Sequence, residues 1–143
     1  MNGETSQCVL LADRHYGVIE GVHGLLETSF TTVVMVTDEN SLIEIASRMQ
    51  PAVAVVDLSL AGGRSFGWLD RLLGQSPASK VIVLSVHDEP TVAQSALDAG
   101  ASGFVLKRAI ASDLLAAVDA VLDGERYVSP AIPFGGRGSQ SEK

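Results

Sequence analysis

Apolar positions in this chain fall into short, nearly unbroken runs separated by amphipathic stretches. The runs Cys8–Ala12, Thr32–Val36, Ala52–Val56, Lys80–Leu84 and Gly103–Leu106 are rich in Val, Leu and Ile. They lack the alternation of a strand with one wet face, so they predict strands covered on both faces. Between them, apolar residues recur at helical spacing. Val18, Ile19, Val22, Leu25 and Leu26 form one stripe, and Leu114, Leu115, Val118, Val121 and Leu122 form another.

The predicted helices also carry punctuation. Pro90, after Asp88 and Glu89, suits a first helical turn, and Gly100 suits the end of the same helix. Ser112 predicts the N-cap of the last helix and Gly124 its stop. The first helix holds Gly17, Gly21 and Gly24. Each costs about 1 kcal/mol relative to Ala, so packing must hold that helix together.

Strand-then-helix units with short connections imply a parallel sheet, because parallel neighbours need crossover connections. The economical arrangement is α/β: a doubly wound, five-stranded parallel sheet, (βα)5, in a three-layer sandwich. Residues 1–7 read as a polar extension, and from Ala131 the text turns into a flexible tail or the start of a linker.

Composition narrows the function classes. The chain has 143 residues, 46% hydrophobic and 19% charged, enough for one buried core. Its net charge of −7 opposes a grip on a phosphate backbone, so no direct DNA binding by this chain is expected. Cys8 is the single cysteine, which excludes an intramolecular disulfide and a cysteine-based zinc site; it reads as a small buried residue of the first strand. No apolar run nears the roughly 20 residues of a membrane span, and Met1–Gln7 lacks a basic region. A cytoplasmic protein without a membrane partner is the expectation.

Ligands of an open parallel sheet sit beyond the carboxyl ends of its strands. Those ends carry Asp13, Arg14 and His15, then Asp57 with Ser59, then Ser85, then Lys107. Two carboxylates, a hydroxyl and an ammonium would converge there. A carboxylate can act as a nucleophile toward phosphorus, forming an aspartyl phosphate. Positive charge on the equatorial oxygens would come from Lys107 and from a hard cation such as Mg²⁺ held by carboxylates and water. His15, His23 and His87 lack metal-ligand spacing; His15 and His87 follow strand ends and read as solvated loop residues, with a place at the site mouth as the alternative. Phe66 and Trp68 read as packing against the sheet.

The segments Val9-Leu10-Leu11-Ala12-Asp13, Val55-Val56-Asp57-Leu58-Ser59-Leu60, Val83-Leu84-Ser85 and Gly100-Ala101-Ser102-Gly103-Phe104-Val105-Leu106-Lys107 resemble the receiver domain of bacterial response regulators. The likeness runs from Cys8 to Pro130 and is to the receivers of LuxR/NarL/FixJ-type two-component regulators. It implies a flavodoxin-like fold and a receiver domain over 8–130. By the same resemblance Asp57 is the phosphoacceptor and Asp13 the first of an acidic pair. Ser85 and Phe104 are the switch residues, Lys107 pairs with the phosphate, and the backbone carbonyl of Ser59 faces a metal. The implied partners are a sensor histidine kinase or a phosphotransfer protein, and a second copy of the chain in a homodimer. Gly124-Glu125-Arg126-Tyr127-Val128-Ser129-Pro130 looks like the end of receivers that precede a helix-turn-helix output domain. The chain is then either a receiver-only regulator or the receiver of a longer transcription regulator.

Three positions depart from the pattern. Ala61 replaces a frequent proline, and Ser65 a common glycine, in a loop that Gly62 and Gly63 already make pliant. Arg14 stands where the family usually has its second acid, which sets a guanidinium against the implied Mg²⁺. Three functions compete on these residues: a phosphorylated signalling receiver, a pseudo-receiver that binds partners without phosphate, and a phosphatase with an aspartyl nucleophile. Arg14 supports the second. The third lacks an acid two residues after Asp57, where Ser59 stands.

Overall fold

The computed structural model describes residues 8–14, 16–61 and 66–132. The 1–7 extension, His15, the loop residues 62–65 (Gly62, Gly63 and Ser65 among them) and the tail beyond Ile132 lie outside the described residues, as do the side chains of residues 16–19 and 61.

The expected strands and helices alternate along the chain: β1 (Cys8–Ala12), α1 (Tyr16–Leu26), β2 (Thr32–Val36), α2 (Glu39–Met49), β3 (Val53–Asp57), α3 (Gly67–Gln75), β4 (Lys80–Ser85), α4 (Pro90–Asp98), β5 (Gly103–Leu106) and α5 (Ile110–Leu122). The parallel sheet runs β2-β1-β3-β4-β5 and then adds a sixth strand, β6 (Tyr127–Val128), beside Gly103 and Phe104 of β5. The sequence reading counted five strands. Two residues are too short to register as an apolar run, and only the neighbouring β5 edge makes them a strand.

Alternation within the runs sorts side chains to two faces. Leu10, Ala12, Ala54, Val56, Val81, Val83 and Phe104 pack with Leu42 of α2, Leu69 and Leu72 of α3, and Ala93 and Ala96 of α4. Val9, Leu11, Val53, Val55, Ile82, Leu84 and Val105 pack with Val22 and Leu26 of α1 and with Leu114 and Val118 of α5. Both faces are thus covered on β1, β3, β4 and β5. The expectation fails for β2, whose position at the sheet edge leaves Met35 42% exposed. Trp68 is buried and Phe66 packs partly buried against the same core, as expected. Cys8 is half-buried rather than buried, since it opens β1.

Helix ends follow the local chemistry in most places. Asp38 caps α2 by accepting from the Ser41 amide at 2.8 Å. Pro90 occupies the first turn of α4, and Gly100 follows it at φ +115°, where an added Cβ would meet Leu73 Cδ1 at 2.7 Å. Gly124 closes α5 at φ +86°. Ser112 is not the N-cap of that helix. A 3-10 turn over Lys107–Ala109 leads straight into Ile110, so Ser112 lies inside the first turn and donates back to the Ala109 carbonyl at 3.2 Å. Ile132 is buried, its amide bonded to the Ser129 carbonyl, so ordered packing reaches one residue past Ala131.

Candidate functional site

In the strand order, β1 is flanked by β2 on one side and β3 on the other, and their crossovers leave on opposite faces of the sheet. A crevice opens at the carboxyl ends on such a switch point. Asp13 is the first residue past β1, Asp57 the last of β3, Ser85 the last of β4, and Lys107 the first past β5. The convergence expected from the sequence is therefore realised by strand ends alone.

Asp13 is fully buried and Asp57 is 2% exposed. Two buried carboxylates side by side cost several kcal/mol unless a positive group answers them. Lys107 does so for both, with Nζ 3.2 Å from Asp13 Oδ2 and 3.3 Å from Asp57 Oδ1. Asp57 is also held locally. The Ser59 hydroxyl donates to Asp57 Oδ2 at 2.6 Å, and the Ser59 amide approaches Oδ1 at 3.4 Å.

Arg14 is exposed, and its Nη1 donates to the backbone carbonyl of Ser59 at 3.1 Å. Ser85 faces its own loop: its Oγ accepts from the His87 amide at 2.8 Å. A cavity of about 380 Å³ lies over the cluster, lined by Arg14, Asp57, Leu58, Ser59, Ser85, Val86, His87 and Lys107. Asp13, fully buried, is not among the residues that line it. Phe104 is fully buried on β5, in the core shared with α3 and α4.

One site feature escaped the sequence reading. Ser59 was expected to offer only its carbonyl, yet its hydroxyl grips Asp57; a serine two residues after a carboxylate was the available signal. His87, read from its place after a strand end as a solvated loop residue or as a residue of the site mouth, lines the cavity, with Nδ1 3.6 Å from Glu89.

The donor set can be weighed against a hard cation. The oxygens available are the carboxylates of Asp13 and Asp57 and the carbonyl of Ser59. Lys107 already answers both carboxylates and Arg14 already answers the carbonyl. Two cations and two anions leave no surplus negative charge to draw a dication, which takes anionic oxygens by preference. Among the described residues, no three His, Cys, Asp or Glu side chains group as metal ligands. The arrangement does not fit Mg²⁺. The cavity itself is lined by the Asp57 carboxylate, the Arg14 guanidinium and the Lys107 ammonium.

The response regulator receiver domain family matches residues 9–119. The transcriptional regulatory protein DegU of Brevibacillus brevis is 30% identical over 126 residues, which cover 87% of this chain and 53% of DegU. The nitrate/nitrite response regulator protein NarL of Escherichia coli (strain K12) is 31% identical over 136 residues, covering 92% of this chain and 62% of NarL. The chain thus spans less than two thirds of either relative. The crystal structure of a LuxR-family two-component response regulator from Aurantimonas sp. SI85-9A1 superposes with a TM-score of 0.82 at 27% identity, over 94% of this chain and 98% of that one. Such relatives are regulators rather than enzymes, which sets aside the phosphatase reading. Strand order, the carboxylate–lysine cluster and the family match over most of its length converge: the chain belongs to the response regulator receiver domain family.

Proposed function

We propose that this receiver accepts a phosphoryl group on Asp57 from a sensor histidine kinase or a phosphotransfer protein. The observation that carries the reading is the Lys107 ammonium 3.3 Å from an Asp57 carboxylate that lines an open cavity. An Asp57 carboxylate oxygen attacks phosphorus, the bond from phosphorus to the donor nitrogen breaks, and the released imidazole takes the electron pair. Lys107 lies where an equatorial oxygen would gain charge.

The output follows from local charge. A phosphoryl group adds acceptor oxygens beside Ser85, whose hydroxyl leaves the His87 amide for them; Phe104 then moves into the vacated volume. The face of α4, β5 and α5 changes shape for its partner, which includes a second copy of the chain. Receiver domains interact with histidine kinases and often dimerise, and the homologues bind DNA through a separate domain. This chain itself makes no direct DNA contact in the proposal, consistent with its net charge of −7. None of the described helices is long and apolar enough to cross a membrane, and the proposed place of work is the cytoplasm, without a membrane partner. The proposed domain assignment is a receiver over 8–130, with 131–143 as a tail or the start of a linker whose Ile132 still packs into the receiver core.

Intact-mass analysis after treatment with acetyl phosphate or a cognate kinase tests the acceptor. One acid-labile phosphate on the wild type and none on Asp57→Asn is the expected result; an adduct that survives the substitution moves the site elsewhere. The runner-up is a phosphate-independent interaction module, and the Arg14–Ser59 bond favours it. Absence of labelling with every donor would select that reading.

A further inference from the structure

We propose that Arg14 supplies, from within the chain, the positive charge that a divalent cation would otherwise place on the phosphoryl oxygens, so that Asp57 is phosphorylated without a metal. The inference rests on the reading of Asp57 as acceptor and concerns how that site is charged.

Three observations carry it. Arg14 Nη1 is anchored on the Ser59 carbonyl at 3.1 Å, so the guanidinium is held at the cavity wall although its residue is exposed. Both Arg14 and Lys107 line the same cavity as Asp57. The four charged groups Asp13, Asp57, Arg14 and Lys107 sum to zero before any phosphate arrives.

A guanidinium has five donors in a planar fork, and one bond to a carbonyl leaves the fork able to receive phosphate oxygens. A phosphoryl group brings between one and two negative charges. Lys107 is committed to two carboxylates, so a second cation is needed on the incoming oxygens. An arginine supplied in cis to a transferring phosphoryl group typically changes rates by about 10³-fold or more. Transfer from acetyl phosphate balances without a proton: an Asp57 oxygen bonds to phosphorus, the phosphorus–oxygen bond of the donor breaks, and acetate leaves with the electron pair.

The test is the rate of Asp57 labelling by acetyl phosphate, followed by intact mass on the full chain, in EDTA and in Mg²⁺. Wild type should label in EDTA within about fivefold of its rate in Mg²⁺. Arg14→Gln keeps a donor for the Ser59 carbonyl but not the charge, and should lose at least about tenfold in EDTA. Arg14→Asp should label only when Mg²⁺ is present, and should gain Mg²⁺ affinity by titration, while circular dichroism confirms that both variants fold. A wild type slowed more than about fivefold by EDTA overturns the inference and leaves Asp57 as acceptor. Unchanged labelling of Arg14→Gln in EDTA also overturns it. Failure of every protein to label under both conditions takes down the acceptor reading together with the inference.

Discussion

Ser129 Oγ donates to Asp113 Oδ2 at 2.8 Å, and the two residues are 1% and 8% exposed. The same hydroxyl accepts from the Leu106 amide at 3.0 Å, and the Ser129 amide donates to the Phe104 carbonyl at 2.9 Å. Asp113 Oδ1 takes a further bond from Ser112 at 3.1 Å. The segment leaving α5 is thereby stitched to β5 immediately before Lys107, the residue that holds the two site carboxylates.

Ser129→Ala removes one acceptor and one donor from a buried network. The Leu106 amide and Asp113 Oδ2 each lose a partner there, which costs roughly 1–3 kcal/mol. Urea unfolding should show a lower midpoint at unchanged slope. An unchanged midpoint would mean that water replaces the hydroxyl.

Tyr127 gives an alkaline signature. Burial, the Asp113 charge and a hydrogen bond to Asp113, in that order, raise its pKa above the ordinary 10.0. The folded state therefore keeps a proton that the unfolded chain releases near pH 10, and stability falls as pH rises from there through the folded value. Tyr127→Phe should flatten that decline, at a cost of roughly 1 kcal/mol at neutral pH for the lost bond to Asp113. Unfolding midpoints at several pH values between neutrality and strong alkali decide it; parallel profiles for the two proteins would refute the assignment.

Lys107→Met leaves the buried carboxylates of Asp13 and Asp57 without their shared ammonium. A loss of about 3 kcal/mol is expected at neutral pH. Adding Asp13→Asn should recover part of it, because fewer like charges then face each other. Denaturation of the four proteins of this double-mutant cycle measures the coupling, and strict additivity would contradict it.

Phe104→Ala empties a fully buried ring volume between β5 and the helices α3 and α4. The expected destabilisation is about 3–5 kcal/mol, and Phe104→Leu should cost less. Thermal unfolding checks the order of the three proteins. Equal midpoints would show that the ring leaves no cavity.

Strand segments and the positions of Asp13, Asp57, Ser85 and Lys107 at their ends were legible in the amino-acid sequence. The reason is local: continuous apolar runs with helical gaps admit few arrangements other than a covered parallel sheet. A carboxylate that ends such a run must then lie at the crevice. The stops at Gly100 and Gly124 were legible too, because their φ of +115° and +86° suits glycine.

Tertiary structure decided everything that depends on a partner distant in sequence. β6 exists because the edge of β5 offers bonds to Tyr127 and Val128. α5 starts before Ser112 because Lys107 must turn at once into the site, and a 3-10 turn serves that direction. Arg14 could have reached solvent or a carboxylate; it meets the Ser59 carbonyl, 45 residues away, because β1 and β3 are adjacent in the sheet. Asp113 and Ser129 show the same limit, since neither residue type nor spacing marks a pair that only the packing of α5 against β5 and β6 brings within 2.8 Å. Short-range preferences of about 1 kcal/mol select elements, whereas such contacts are chosen by the burial of whole faces, which no local pattern encodes.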